Sequence, residues 1–265
     1  MSRIFCFGCS FTGYWYPTWA DILIKEGEVR GIEGYNLGKS GAGNLFIYLR
    51  IWEMNTKYKF TEDDFILICW SGYNREDRWT KKNGWITPGN MGHQHIYDDN
   101  FIKNYHDTRF CAMRDSAIMA STQLALKQLG LKVIHFSMTT LLQNNEYYAF
   151  QTFEEQVDII ETYNIKLDLI PMMEYIGTMQ QTPELAKKRI KIKYDNMPPC
   201  IEWHPLPLEH LGYLTEHIQP KISWLDKISD QSLELVDKWT KILYSSQPFL
   251  LSKSGWESKK PNNLW

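Results

Sequence analysis

Little in this chain suits a membrane or a nucleic acid. No run within its 265 residues approaches the roughly 18 apolar residues that a spanning helix requires. Its 29 lysines and arginines are balanced by 31 acidic residues, a formal net charge of −2 and a pI near 6.4. That balance gives no basic field to hold a phosphate backbone, so neither a nucleic-acid nor a membrane partner is expected. No phosphate-cradling GxxxxGK[ST] and no GxGxxG occurs, which leaves nucleotide binding without support. Internal repeats and low-complexity tracts are also absent. Residues 1–10 carry neither the basic start nor the apolar stretch of a secretory leader, and the expectation is a cytoplasmic protein.

Cysteine is scarce and unpaired. The five are Cys6, Cys9, Cys69, Cys111 and Cys200. The Cys6/Cys9 spacing is matched by no second cysteine pair and no histidine pair at zinc-finger spacing. Cys6, Cys69 and Cys111 lie in apolar segments and read as small hydrophobes. Reduced thiols and a reducing compartment follow. No cofactor is called for.

What is present is a core. With 43% hydrophobic residues, the chain can bury one sizeable interior. Aromatics are abundant, with 11 Trp, 15 Tyr and 12 Phe. Most should fill that interior, while others can line an amphipathic cleft.

Four apolar stretches read as strands: Arg3–Phe7, Tyr35–Gly38, Phe65–Trp70 and Leu131–Met138. FILICW at 65–70 is apolar without interruption, the mark of a strand covered on both faces. Helices are expected between them. One spans about 17–25, with Trp19, Ile22 and Leu23 inward. Another spans 44–57, with Leu45, Tyr48, Leu49 and Trp52 on one face, and a third spans 101–129 in one or two pieces. Later helices are expected over 153–163, over 208–217 and over 229–244, the last with Leu233, Val236 and Trp239 inward. The basic stretch 182–193 reads as a solvated helix face. The alternation predicts an α/β fold, a three-layer α/β/α sandwich on a mainly parallel sheet. We expect a single domain over 1–250, insertions at about 75–100 and 139–199, and a surface tail over 251–265.

Three of the four strands end in similar ways. The first runs into Gly8-Cys9-Ser10, the second into Gly38-Lys39-Ser40-Gly41, the third into Ser71-Gly72-Tyr73-Asn74. Loops at the carboxyl ends of parallel strands are where open α/β sheets bind ligands. Acyl transfer needs a nucleophile, a base, a group that orients the base, and donors for an oxyanion. Ser10 suits the first role and His204 the second, with Glu202 to orient its ring. The N–H groups of Ser10 and Gly41 and the amide of Asn74 suit the last: glycine leaves room for an oxygen, and asparagine donates without adding charge.

These blocks, in this order, resemble the SGNH (GDSL-type) hydrolase superfamily. GCSFT around Ser10 is similar to its first block, Asn36–Gly41 to its second, Gly72-Tyr73-Asn74 to its third, and Glu202-Trp203-His204-Pro205 to its last. The run HPLPLEHLGYL is similar to the ending of viral and marine bacterial members, which leaves a viral origin open. The resemblance spans residues 5–214 and implies a flavodoxin-like fold. It also implies a serine esterase with Ser10, His204 and Glu202 catalytic and Gly41 and Asn74 at the oxyanion. The implied substrate is an O-acetyl or other short acyl ester on a carbohydrate. Three positions depart from the pattern: Cys9 and Arg75 stand where members carry Asp, and the acid lies two residues before His204 rather than three.

Other readings stay open at this stage. Cys9 is a second candidate nucleophile. The same scaffold could bind a glycan without cleaving it, or pass the acyl group to a sugar rather than to water. His210 reads as structural. His93 and His95, with His106 or Asp98, have the residue types of a metal site, against the reading as plain loop. Trp79, Trp85 and Tyr97 are candidates for an aromatic substrate wall over Ser10.

Overall fold

The computed structural model describes residues 2–73, 75–90, 97–141, 158–159, 161–178, 181–195, 197–245 and 247–260. Its centre is a four-stranded parallel sheet of β1 (Arg3–Gly8), β2 (Glu33–Asn36), β3 (Phe65–Trp70) and β6 (Lys132–Ser137), in the order β2-β1-β3-β6. This is the flavodoxin-like order, with its switch point between β1 and β3. The continuous apolar runs have their cause here. Ile4, Phe5, Phe7, Ile66, Leu67 and Ile68 are fully buried, each contributing about 1.5–3 kcal/mol by leaving water.

Helices cover both faces, completing three layers. On one side α2 (Asn44–Tyr58) packs against α4 (Thr108–Gln128). On the other, α1 (Trp19–Val29) packs against α7 (Pro207–Tyr213) and α8 (Asp230–Ser245). Trp19, Ile22 and Leu23 face inward as the periodicity predicts. The expected stripe on α2 is displaced: Phe46, Ile47, Ile51 and Met54 are buried, whereas Leu49 is exposed. That helix carries two apolar stripes, and the one with Phe46, Ile47, Ile51 and Met54 is buried. On α8, Val236 and Trp239 point inward but Leu233 does not. Ser232 takes the first buried turn, beside Ser229, whose hydroxyl donates to Glu26 at 2.6 Å.

The expected insertions are partly regular. Residues 75–90 include a hairpin of β4 (Arg78–Thr80) and β5 (Gly84–Ile86), after which come α3 (Asp99–Tyr105) and α4. Residues 153–157 and 160 of the helix expected over 153–163 lie outside the described residues, and 158–159 and 161–163 are helical. Residues 182–193 do not form one basic helix. They form the short α6 (Pro183–Ala186), after α5 (Met172–Tyr175), and then β7 (Lys191–Lys193). The helix expected over 208–217 continues from α7 as a π-helical turn at Leu214–Ile218.

A second small sheet decides where the late residues sit. β7 pairs antiparallel with β8 (Cys200–Ile201) and parallel with β9 (Phe249–Leu250). It packs with Tyr14, Tyr16, Leu206, Trp239 and Leu243 into a separate core. The final segment is not a loose surface tail over its described length. Leu251 is buried, Trp256 packs edge-on against Trp239, and the Lys259 carbonyl accepts from the Asn36 N–H at 2.9 Å.

Candidate active site

The first loop turns sharply after β1. The N–H groups of Thr12 and Gly13 both donate to the Cys9 carbonyl at 3.0 Å. That turn sends neighbouring side chains in opposite directions. Cys9 is fully buried with Sγ 3.4 Å from Met138 Sδ. The Ser10 hydroxyl points instead to His204, its Oγ 2.9 Å from Nε2. This separates the two candidate nucleophiles: Cys9 lies in the core and Ser10 lies on the histidine.

The second loop is pressed against the first. A Cβ on Gly13 would stand 2.5 Å from the Gly38 carbonyl oxygen, so the two backbones touch where side chains would not fit. Asn36 ties them. Its Nδ2 donates to the Thr12 carbonyl at 2.6 Å and to Asp21 Oδ1 at 2.8 Å, and its Oδ1 accepts from the Gly38 N–H. Gly41 follows with φ +76°, the left-handed region that favours glycine. Its carbonyl accepts from the Gly89 N–H at 3.0 Å. Among the described residues, no acceptor takes the N–H of Gly41 or of Ser10.

Asp77, which the sequence did not single out, and Arg75, which it marked only as a departure from the pattern, hold this loop to helix α2 and to the end of strand β3. The buried Asp77 carboxylate accepts from the N–H groups of Gly43 and Phe46, both at 2.9 Å, at the start of α2. Burial pushes its pKa up, and those two N–H bonds work against the rise. Arg75 reaches inward, donating to the Ala42 carbonyl at 2.8 Å and to Asn90 at 3.1 Å. The guanidinium at this position therefore joins the third loop to the second. Asn74 lies outside the described residues.

The third component comes from the small sheet. β8 leads directly into Glu202, whose N–H donates to the Ile190 carbonyl at 3.0 Å. The Glu202 carboxylate is buried, with 1% exposure. Its Oε1 meets His204 Nδ1 at 2.7 Å and the His204 N–H at 2.8 Å. Its Oε2 accepts from the Tyr14 hydroxyl at 3.0 Å. Burial alone would raise the carboxylate's pKa. The nearby His204, through its charge and both its hydrogen bonds, together with Tyr14, outweighs that and holds it below the ordinary value. A two-residue spacing thus lets one glutamate bond both the ring and the backbone of the histidine.

Arg189 fastens the same segment from behind. Its Nε donates to the Glu202 carbonyl at 2.9 Å, and its two terminal nitrogens reach the His204 carbonyl and Glu209 at 2.5 Å. The Tyr14 ring stacks on the imidazole. Neither Arg189 nor Tyr14 belongs to a motif block, so only the three-dimensional arrangement exposes them.

The remaining candidates make other contacts. His210 is buried on α7. Burial, with the charges of His204 and Arg189, lowers its pKa to about 3. Asp98 caps α3, accepting from the Phe101 N–H at 2.7 Å. His106 lies 3.9 Å from Cys111 Sγ, and His93 and His95 lie outside the described residues. Among the described residues, no group of three His, Cys, Asp or Glu is arranged to hold a metal. Trp79 and Trp85 meet each other edge to face, and Trp85 meets Phe46. They border a cavity beside Lys39. Tyr97 stacks on Phe101 and donates to the Glu76 carbonyl.

The order of loops and the hydrogen-bonded line Ser10–His204–Glu202 resemble an SGNH hydrolase site. Comparison with solved structures finds a member of the lipolytic G-D-S-L family from Veillonella parvula, at 14% identity and TM-score 0.44, covering 83% of this chain and all of that one. An acetylxylan esterase from Geobacillus stearothermophilus matches at 16% identity and TM-score 0.43, over 84% of this chain and 94% of the other. The psychrotrophic esterase EstA from Pseudoalteromonas matches at 13% identity and TM-score 0.36, over 67% of this chain and 84% of the other. No protein-family model matches the sequence, and no curated protein matches it. No helix among the described residues is long and apolar enough to cross a membrane.

Proposed function

We propose that this chain is an SGNH-type serine esterase that hydrolyses a short acyl ester, an O-acetyl group on a carbohydrate in the first instance. The observation that carries the proposal is the continuous hydrogen-bonded line from Ser10 Oγ to His204 Nε2 at 2.9 Å and from His204 Nδ1 to Glu202 Oε1 at 2.7 Å. A serine, an imidazole and a buried carboxylate in that alignment are what an activated nucleophile requires.

In this reading His204 Nε2 accepts the Ser10 proton as Oγ attacks the ester carbonyl. Glu202 keeps Nδ1–H directed at itself, which fixes the tautomer and stabilises the imidazolium. The tetrahedral oxyanion is received by the N–H groups of Ser10 and Gly41, with the Asn74 amide as third donor. Collapse expels the alcohol, which takes the proton from His204 and leaves the acyl group on Ser10. Water, deprotonated by His204, then releases the acid and restores the serine. A module that only binds glycans has no need of an aligned proton relay.

The test is labelling with a fluorophosphonate followed by mapping of the modified residue. We expect phosphonylation at Ser10 alone, with loss of p-nitrophenyl acetate hydrolysis in step with labelling. Modification at Cys9, or turnover that persists on a fully labelled protein, would remove Ser10 from the mechanism.

A further inference from the structure

The loop that carries Gly41 has a second side. There, α2, the β4–β5 hairpin and residues 37–39 enclose a cavity of about 350 Å³, within the usual size of ligand pockets, ~300–1,000 Å³. Its walls combine aromatic rings with positive charge. Trp79, Trp85 and Phe46 supply the rings, and Lys39 and Lys260 the ammonium groups. Arg50 and Glu53 also line it, ion-paired to each other.

The two lysines differ from that arginine. Among the described residues, neither Lys39 nor Lys260 has a carboxylate within ion-pair distance. Lys39 is partly buried, and its Nζ donates to the Trp85 carbonyl at 2.9 Å and lies 5.4 Å from the Phe46 ring centre. An ammonium has three donors, and that contact uses one. Burial and the Lys260 charge both pull the Lys39 pKa down, so the protonated form gains from an incoming anion.

The hairpin also offers more than one berth. A second cavity, of about 430 Å³, is lined by Leu49, Glu53, Trp79 and Trp85. The tryptophan pair is thus shared by two adjoining hollows, one cationic and one largely apolar. Trp79 is half exposed, at 51%. Exposed aromatic faces repeated along a groove suit the apolar faces of successive sugar rings, and unpaired ammonium groups suit a carboxylate.

We propose that the cationic cavity binds a carboxylate-bearing sugar unit of the glycan whose ester Ser10 cleaves. Lys39 and Lys260 take the carboxylate, and Trp79 and Trp85 take the sugar faces. That Ser10 cleaves the bound glycan rests on the esterase reading; the binding site itself does not. The cavity and the oxyanion loop are mechanically joined. Besides the Lys39 contact, Thr87 Oγ1 donates to the Ser40 carbonyl at 3.0 Å, and Gly89 holds the Gly41 carbonyl. A ligand resting on Lys39 and Trp85 therefore rests on the support of Gly41.

The test is calorimetric titration of the intact wild-type protein at low ionic strength. The probes are an unesterified galacturonic acid trisaccharide and xylotriose, neither of which can turn over. We expect the acidic trisaccharide to bind about tenfold or more tightly than the neutral one, and added salt to weaken it. Lys260→Met should lower that affinity about tenfold, and so should Trp79→Ala; both residues are exposed, so the fold is not at stake. Lys39→Met should do the same. Equal affinity for the two sugars, no binding of the acidic one, or acidic binding indifferent to Lys260→Met and Trp79→Ala would each overturn the proposal. Fluorophosphonate labelling reports separately. A labelled Ser10 without acidic-sugar binding sinks this inference alone, and acidic-sugar binding without labelling sinks the esterase reading alone.

Discussion

Tyr14 lies flat on His204, ring centres 4.2 Å apart and planes 25° from parallel. Its hydroxyl, at the far end of the same ring, donates to Glu202. One side chain, four positions after the proposed nucleophile, therefore braces both of that serine's partners. Tyr14 touches no reacting atom and is a positioning residue.

Tyr14→Phe keeps the stack and removes the donor. A hydrogen bond to a charged group is worth about 1.5–3 kcal/mol, and part of it should appear in turnover. We expect kcat on p-nitrophenyl acetate to fall by about tenfold with KM unchanged. The acid limit of the kcat profile should move to higher pH, because the carboxylate loses a donor that favours its ionised form. Tyr14→Leu, which also loses the ring, should fall further. If Tyr14→Phe keeps both the wild-type rate and the wild-type pH profile, the contact serves packing only.

Glu202→Gln retains the shape of the acid and discards its charge. The amide can present the wrong group to Nδ1–H and no longer stabilises an imidazolium. Replacing an acid by its amide at this position of a serine triad costs on the order of 10⁴ in kcat. We expect a loss of about 10²–10⁴ with a native circular dichroism spectrum. Turnover within a factor of about two of wild type would mean that another group orients His204.

Gly41→Ala tests the second loop. The residue holds φ +76°, and a Cβ there would approach the Thr87 carbonyl oxygen to 2.2 Å. A left-handed non-glycine residue costs about 1–2 kcal/mol, and the contact forces the loop to shift. We expect the melting temperature to drop by several degrees and kcat to fall by about 10²–10³ if the N–H leaves the oxyanion. A destabilised variant with wild-type kcat would take Gly41 out of the oxyanion site while leaving its structural role.

Stability should fall on acidification before the carboxylates titrate. Burial lowers the pKa of His135 to about 4 and that of His210 to about 3, against about 6.5 in an unfolded chain. Between these values the unfolded state binds more protons, so unfolding free energy is full above about pH 6.5 and declines as pH falls. Each neutral histidine contributes a slope of about 1.4 kcal/mol per pH unit in that window. Urea unfolding at pH 7, 6 and 5 measures it, and His210→Gln should flatten the dependence. A midpoint constant over that range would mean that these rings take up protons in the folded state.

Much of the architecture was readable because it depends on local apolar periodicity. FILICW gives β3 without adjustment, since a strand buried on both faces needs no alternation. Of the candidate site, Ser10 and Gly41 stand out because strand-end loops carry recognisable small residues, and Glu202 and His204 because an acid closely precedes a His-Pro. What escaped was information held between distant segments. Arg189 is an arginine in a basic stretch, and nothing nearby says that it will clasp the carbonyls of Glu202 and His204. Asp77 reads as a loop acid, yet it caps α2 from 31 residues away. The displaced stripe on α2 has the same origin: two apolar faces compete, and only the opposing layer decides between them. The described part of the last segment, expected as a tail, is held because Asn36 offers a backbone N–H at the edge of the sheet.

The small sheet of β7, β8 and β9 gives the protein a calendar. Ser10 leaves the ribosome first, and its histidine follows 194 positions later. β9, which pairs in parallel with β7 and so braces the strand before His204, follows later still. Until the segment that carries β8 has been made, Ser10 has no imidazole beside it. The proposed relay is therefore assembled only after all four strands of the central sheet have been made.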